Sequence, residues 1–357
     1  MHPSAYTHIT IHADRVRNNV QQCRETLPPL TQIMAILKAD AYGLGAQRMA
    51  DILGDTVDAL GVVTVSEAMA LRETSKVPLI LFSEPLPDED ILSLVADPKV
   101  VFTVYSEAFL RRLSDMAMAM ARTVSIHLKV NTGLNRLGFS PDRLQAILSH
   151  IQGKSWLEVA GIFTHLGFSD HEGHPETAAQ LGVFDTVVSE VHTHGFPFAV
   201  AHTLSTNGIH NVSGYVYDAV RIGLGLYRDA VTISAPVGYV REIQPGEWVS
   251  YDGLYRAQTP HKVGVIYAGY SAGIPSDTQG MSVLIHGQRY PVIGRICMDL
   301  VMVALPQAST IAIGDTAVLY GGEGASAITA ADWNLWAGMN PREIFCRFGY
   351  RATVSVI

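Results

Sequence analysis

Cysteine is scarce: Cys23, Cys297 and Cys346 are the only three in 357 residues, and no two form a CxxC pair. That argues against a disulfide framework and fits a reducing compartment. Basic residues are outnumbered, with 25 Lys plus Arg against 33 Asp plus Glu and a formal net charge of −8. This balance argues against nucleic acid as the main partner. Any phosphate site must then be built locally, from backbone amides and a few side chains. No window approaches 18 uninterrupted apolar residues, so no membrane span is expected. The N-terminus, MHPSAYTHITIHADRV, lacks a basic segment followed by a long apolar run, so no signal peptide is expected and a soluble cytoplasmic protein is the default. Internal repeats and low-complexity tracts are absent too. What the chain does have is 48% hydrophobic residues, enough for a large core, and a length that suits two domains or a barrel with an addition.

The first two thirds alternate short apolar runs with helical patterns. Eight runs read as strands: Ile33–Lys38, Ala59–Val65, Pro78–Ser83, Val100–Tyr105, Val124–Val130, Glu158–His165, Phe198–Leu204 and Ala219–Tyr227. Their near-continuous apolar character is that of strands covered on both faces. Between them, Ser66-Glu67 and Ser106-Glu107 open helices. Leu181, Phe184, Val187, Val188 and Val191 repeat a helical spacing after Pro175, and Gly195 marks the stop. Met116, Met118 and Met120 read as core filling. Eight strands alternating with helices predict an α/β fold, a (β/α)8 TIM-type barrel over residues 1–228, with a doubly wound open sheet as the competing arrangement. Beyond it Val, Thr, Tyr and Gly rise. Lys262–Tyr267, Ser282–His286, Tyr290–Ile296, Leu300–Leu305 and Thr316–Leu319 look like antiparallel strands, and a helical pattern returns only at Ile328–Trp336. A mostly β C-terminal domain over 229–357 is expected.

In a barrel, reactive groups collect at the C-terminal ends of the strands. Lys38 ends the first strand, Lys129 lies on the fifth, His165 ends the sixth, Ser205-Thr206-Asn207-Gly208 follows the seventh, and Arg221 lies on the eighth. A strand-end lysine can simply pack its stem and reach water. It can also form a Schiff base, because burial lowers its pKa and frees a nucleophilic amine. Two lysines, an arginine and a histidine on one rim favour an anionic ligand.

Specific segments sharpen this. Ile36-Leu37-Lys38-Ala39-Asp40-Ala41-Tyr42-Gly43, Ile126–Gly138 (IHLKVNTGLNRLG), Gly161–Asp170 (GIFTHLGFSD), Arg221–Tyr227 (RIGLGLY), Gly269–Gly273 (GYSAG), Gly294–Asp299 (GRICMD) and Arg347–Arg351 (RFGYR) occur in this order over nearly the whole chain. Together they resemble the alanine racemase family, enzymes that use pyridoxal 5′-phosphate. The resemblance implies a head-to-tail homodimer in which the β domain of one copy completes the barrel site of the other. It also implies roles. Lys38 carries the cofactor and acts as one base, for the D-enantiomer. Tyr270 from the other copy is the second base, for the L-enantiomer. Arg221 faces the pyridine nitrogen, and His165 tunes Tyr270 and Arg221. Tyr42, Thr206 and the amides of Gly223 and Leu224 hold the phosphate. Arg136 and the amide of Met298 meet the substrate carboxylate, Tyr350 narrows the pocket toward a small amino acid, and Lys129 is a candidate for carbamylation.

Some positions depart from the family pattern. Leu44 stands where a histidine is common, Asn131 and Ala304 where aspartates are, Ala272 in place of the aspartate after the tyrosine, and Ser205-Thr206 in place of Asn-Ser. These keep other readings open: a serine or broader-specificity racemase, a non-catalytic cofactor carrier, or a metal-assisted aldolase. For the last, His165, Asp170, His171 and His174 cluster in sequence without a standard zinc spacing, and no metal is expected.

Overall fold

Apolar runs that must be covered on both faces close on themselves. In the computed structural model, which describes residues 6–196, 200–212, 214 and 216–357, they form a closed parallel barrel. A first strand, β1 (His8–Ile11), precedes it. The barrel strands are β2 (Gln32–Ile36), β3 (Ala59–Val62), β4 (Leu79–Leu81), β5 (Val100–Val104), β6 (Val124–Lys129), β7 (Leu157–Phe163), β8 (Val200–Ser205) and β9 (Ala219–Ile222). Each pairs in parallel with the next, and β9 returns to β2 in the register Gln32↔Ala219 through Ala35↔Ile222. Every residue of β3, β4, β5 and β9 is buried, as the sequence pattern requires.

Met34, Ala59, Ile80, Val101, Val200 and Ala219 pack into one cluster with Phe82 against it. Residues from six different strands meet this way only inside the barrel, so this is an interior layer. Side chains two residues further along a strand share the same face. That rule puts Thr103, His202 and Arg221 in the next layer toward the C-terminal rim, where the interior turns polar.

The second compact unit holds residues 6–16, Tyr42–Gly45 and Tyr227–Ile357. Its main sheet contains β10 (Val231–Ile243), β13 (His261–Ile266), β14 (Ser282–Ile285), β15 (Gln288–Ile293), β16 (Val301–Leu305), β17 (Thr316–Tyr320) and β18 (Thr353–Val356), with a separate hairpin of β11 (Trp248–Val249) and β12 (Tyr255–Arg256). The long β10 pairs β1 and β17 along its first half and β13 along its second, with an irregularity between Val237 and Tyr239 that bends it. Thr329 and Asp332 form a capping box on the helix Ala330–Ala337, and Asn340 caps Pro341–Gly349.

The structure corrects several boundaries. The segment His8–Ile11, read with the barrel, belongs to the β sheet. His8–Ile11 pairs antiparallel with β10 and parallel with β18, and its alternating His-Ile-Thr-Ile buries the two isoleucines. The run Ala219–Tyr227 is extended only to Ile222. Leu224–Tyr227 is a 3-10 turn, closed by Leu226 N on the Gly223 carbonyl, with Gly225 leaving room for Thr206. Phe198 and Ala199, at the start of the Phe198–Leu204 run, lie outside the described residues. The helix predicted to open at Ser66 opens one residue earlier, after the Thr64 cap. No helix among the described residues is long and apolar enough to cross a membrane.

Candidate active site

The first barrel strand stops two residues before Lys38, so the lysine stands in a turn and not on the strand. Ala39, Asp40 and Ala41 that follow it adopt a left-handed helical conformation (φ 53–54°, ψ 46–50°), and Tyr42 continues at φ 61°. Such a conformation costs a non-glycine residue roughly 1–2 kcal/mol. It persists only where contacts over-determine it. The contacts are here. Glu67 Oε1 accepts the amide of Ala39 at 2.6 Å, and Oε2 accepts those of Val63 and Thr64 at 2.8 and 3.0 Å. Asp40 Oδ1 accepts the amide of Ala46 at 2.6 Å. Glu67 is also the third-position acid of its helix's capping box. One carboxylate thus ties the start of a helix to the backbone beside Lys38. Neither Glu67 nor Asp40 stands out in the sequence as a site residue.

Arg221 is 5% exposed, and among the described residues its hydrogen bonds go to carbonyls and histidines, none to a carboxylate. Its Nη1 donates to His202 Nδ1 and to the His202 carbonyl at 3.1 Å. Its Nη2 lies 2.6 Å from the Thr203 carbonyl, 3.0 Å from that of Thr164 and 3.3 Å from His165 Nδ1. Burial lowers its pKa to about 9, which still leaves a cation at neutral pH. His165 is held far below its ordinary value, at about 3, by burial first and then by Arg221, Arg136, Lys129 and Lys38. Burial, Arg136, Arg221 and Lys38 likewise bring Lys129, 6% exposed, down to about 8. Its Nζ lies 5.4 Å from the centre of the Phe163 ring, and the Arg221 guanidinium lies 5.5 Å from it. The charges that lower His165 and Lys129 are all positive. Such a cluster of cations suits an anionic ligand.

A second anion-seeking feature lies beside it. Thr206 Oγ1 accepts the amides of Gly223 and Gly225 at 3.1 and 3.3 Å, and its own hydrogen remains to donate. A Cβ on Gly225 would stand 2.9 Å from Thr206 Cγ2, so only glycine leaves this cradle open. The Thr206 hydroxyl, held in place by the two amides it accepts from, is a donor that suits a phosphate ester without any change of residue.

Arg136 sits in the loop after β6. Asn131 Oδ1 accepts the amides of Gly133 and Asn135 at 3.2 and 2.9 Å, while its Nδ2 donates to Asn135 Oδ1 at 2.9 Å. The amide therefore uses both its ends, a task an aspartate could do only in part. Gln180 Oε1 accepts the amide of Gly167 at 2.9 Å, fixing the loop after β7.

Tyr42, Tyr270, Met298 and Tyr350 belong to the β unit. Tyr42 is buried against Tyr227 (5.7 Å between ring centres), and burial drives its phenol up to about 12. Tyr270 and Met298 are 42% and 55% exposed, on two loops laced together: Cys297 O accepts the Tyr270 amide at 3.1 Å and Met298 O that of Ser271 at 2.8 Å. Ala272 is 2% exposed, a place where a carboxylate would be desolvated. Leu44 is fully buried, and Ala304 lies opposite Val263 in the sheet. Tyr350 is exposed at the end of the last helix. Of the four residues weighed for a metal, Asp170 accepts a hydrogen bond from Asn207 and His174 caps its own helix and stacks on Phe168. No group of three or more metal-binding side chains forms among the described residues.

The sequence matches the family descriptions "Alanine racemase, N-terminal domain" over residues 11–231 and "Alanine racemase, C-terminal domain" over residues 230–356. The chain belongs to the alanine racemase family. It is 30% identical to an alanine racemase of Prochlorococcus marinus, over 98% of this chain and 95% of the relative. Among solved structures, an alanine racemase of Clostridium difficile 630 superposes with a TM-score of 0.91 at 25% identity, covering 99% of this chain and 96% of that one. The enzyme from D-cycloserine-producing Streptomyces lavendulae gives 0.90 at 27% identity, covering 99% and 97%. Membership of the alanine racemase family accounts for the barrel followed by a mostly β domain.

Proposed function

We propose that the chain interconverts L- and D-alanine with pyridoxal 5′-phosphate as cofactor, in the cytoplasm, as a homodimer in which each site takes Tyr270 and Met298 from the other copy. The observation that carries the reading is the cation set Lys38, Lys129, Arg136 and Arg221 around His165, whose positive charges all lower that histidine. Such a set suits a phosphate ester and an amino-acid carboxylate bound together. When bound, the cofactor supplies the electron sink that makes an α-proton removable.

The residues do the rest. Lys38 Nζ is the attachment point, and once released it takes or returns the α-proton on one face, serving the D-enantiomer. Tyr270 Oη does the same on the opposite face, serving the L-enantiomer. Arg221, with no counter-ion among the described residues, points its charge at the pyridine nitrogen and opposes protonation there. His165 accepts from Arg221 through Nδ1, so its remaining hydrogen sits on Nε2, available to the Tyr270 oxygen. Thr206, with Tyr42 and the amides of Gly223 and Leu224, holds the phosphate. Arg136 and the Met298 amide hold the substrate carboxylate, and Tyr350 limits the side chain. Lys129, brought down to about 8, presents enough neutral amine to take up carbon dioxide as a carbamate, which would give Arg136 its missing anion. Unmodified density at Lys129 in a crystal grown with bicarbonate would remove that last assignment.

Incubation with L-alanine and a panel of other L-amino acids, each followed by chiral chromatography, tests the proposal. D-alanine should form fastest. Formation of D-serine without D-alanine would move the substrate, and no racemisation at all by cofactor-loaded protein would favour a carrier.

A further inference from the structure

We propose that His202 and His127 are positioning residues for Arg221, a buried relay of hydrogen bonds that selects which guanidinium hydrogen faces the ligand and leaves the arginine's charge uncancelled. The inference rests on the reading above that Arg221 addresses the pyridine nitrogen.

The relay follows from counting donors. A guanidinium has five N–H groups and no acceptor. The two on Nη1 go to His202 Nδ1 and the His202 carbonyl. The two on Nη2 are shared among the Thr203 and Thr164 carbonyls and His165 Nδ1. Nε–H is the donor left without a partner among the described residues. Because Arg221 can only donate, His202 Nδ1 must be bare. The ring is buried and neutral, so its hydrogen is on Nε2, 3.1 Å from His127 Nδ1. His127 must therefore carry its own hydrogen on Nε2. Three side chains are locked into one proton arrangement.

Packing keeps them there. His202 stacks on Phe163, with ring centres 4.6 Å apart and planes 7° apart, which resists a ring flip. Gly161 makes room for the other ring: a Cβ there would stand 2.6 Å from His127 Nε2 and 2.7 Å from the Val200 carbonyl. A carboxylate in place of His202 could orient Arg221 equally well, but it would cancel the charge. Neutral imidazoles orient without cancelling. The full positive charge then opposes proton gain by the ring, and so opposes the side reaction in which the α-proton is delivered to the cofactor's carbon. In that reaction the amino acid is oxidised by two electrons to a keto acid while the cofactor's aldehyde is reduced to the amine.

The test uses cofactor-loaded protein with ¹⁵N-labelled histidine rings, assigned with His127→Asn and His202→Asn. Both rings should show a bare Nδ1 and a protonated Nε2. His202→Asn should keep the absorbance of lysine-bound cofactor while the loss of aldehyde per racemisation event rises by about tenfold or more, the worth of one hydrogen bond to a charged group. His127→Asn should mix the His202 tautomers and raise the same ratio less. A proton on His202 Nδ1, or an unchanged ratio in both variants, would overturn the inference. If His202→Asn does not fold, the tautomers of the unsubstituted protein and the His127→Asn ratio still decide. A protein that binds no cofactor would instead defeat the proposed function, while the tautomer measurement stands independently.

Discussion

Glu67 and Ala39 are joined by a 2.6 Å hydrogen bond from the alanine amide to the glutamate Oε1, one residue beyond Lys38. The same carboxylate holds Val63 and Thr64 through its other oxygen. Glutamine at this position offers only one accepting oxygen, so either the lysine turn or the helix start is released. Glu67→Gln should destabilise the protein by about 1–3 kcal/mol, the usual cost of leaving a buried donor unpaired. It should also release cofactor faster. Denaturant titration and the decay of cofactor absorbance on dilution check the two halves.

Gly225 faces Thr206 in the phosphate cradle. Gly225→Ala places a methyl 2.9 Å from Thr206 Cγ2. The threonine must rotate or the turn must open, at roughly 1–3 kcal/mol. Cofactor affinity should fall about tenfold or more by the usual conversion of free energy to dissociation constant, with little change in the turnover of saturated enzyme. Cofactor titration of the apoprotein followed by absorbance is the check.

Two substitutions separate the proposed bases. Lys38→Ala should abolish both the cofactor absorbance fixed by borohydride and turnover. Tyr270→Phe should keep the absorbance and lose activity, more severely starting from L-alanine. Initial rates from each enantiomer measure this, and a phenylalanine variant of ordinary activity would remove the second base.

Three histidines, two of them buried and one half-buried, give the fold an acid limit. His165 and His127 are held at about 3 and about 4, and His202 well below its ordinary value, in each case by burial first. Between those values and 6.5 the unfolded chain binds protons that the folded one refuses. Stability therefore rises with pH across that window, by up to about 1.4 kcal/mol per unit for each histidine, and is fully present above 6.5. Urea unfolding should show a steep loss from pH 6.5 to 5. His202→Asn should flatten that slope.

Much of this fold can be read from the residues. Strands such as Val100–Val104 are buried on both faces and announce themselves as unbroken apolar runs. The long Val231–Ile243 strand does not: it alternates, is half exposed and contains Pro236, so it passes for irregular chain. The Leu224–Tyr227 turn is as apolar as a strand and was for that reason indistinguishable from one. At the site, Lys38, His165 and Arg221 are legible as polar residues at strand ends. His127 and His202 are less so, because a histidine inside an apolar strand usually has only a packing role. The spacing of His127 and Lys129, two apart and hence on one face of β6, was the available signal. The left-handed turn after Lys38 had almost none, since alanine and tyrosine do not favour positive φ and a single aspartate between two alanines only tolerates it. Contacts from Glu67, distant in sequence, impose it.

The most direct test of two opposed bases is racemisation of L-alanine in D₂O, stopped early and read by mass spectrometry after chiral separation. The D-alanine formed should carry deuterium at the α-carbon while the remaining L-alanine is still unlabelled, because one residue removes the proton and a different, solvent-exchanged residue returns one from the other side. D-alanine that retains the original hydrogen would mean that a single group moved it across, and would contradict the account.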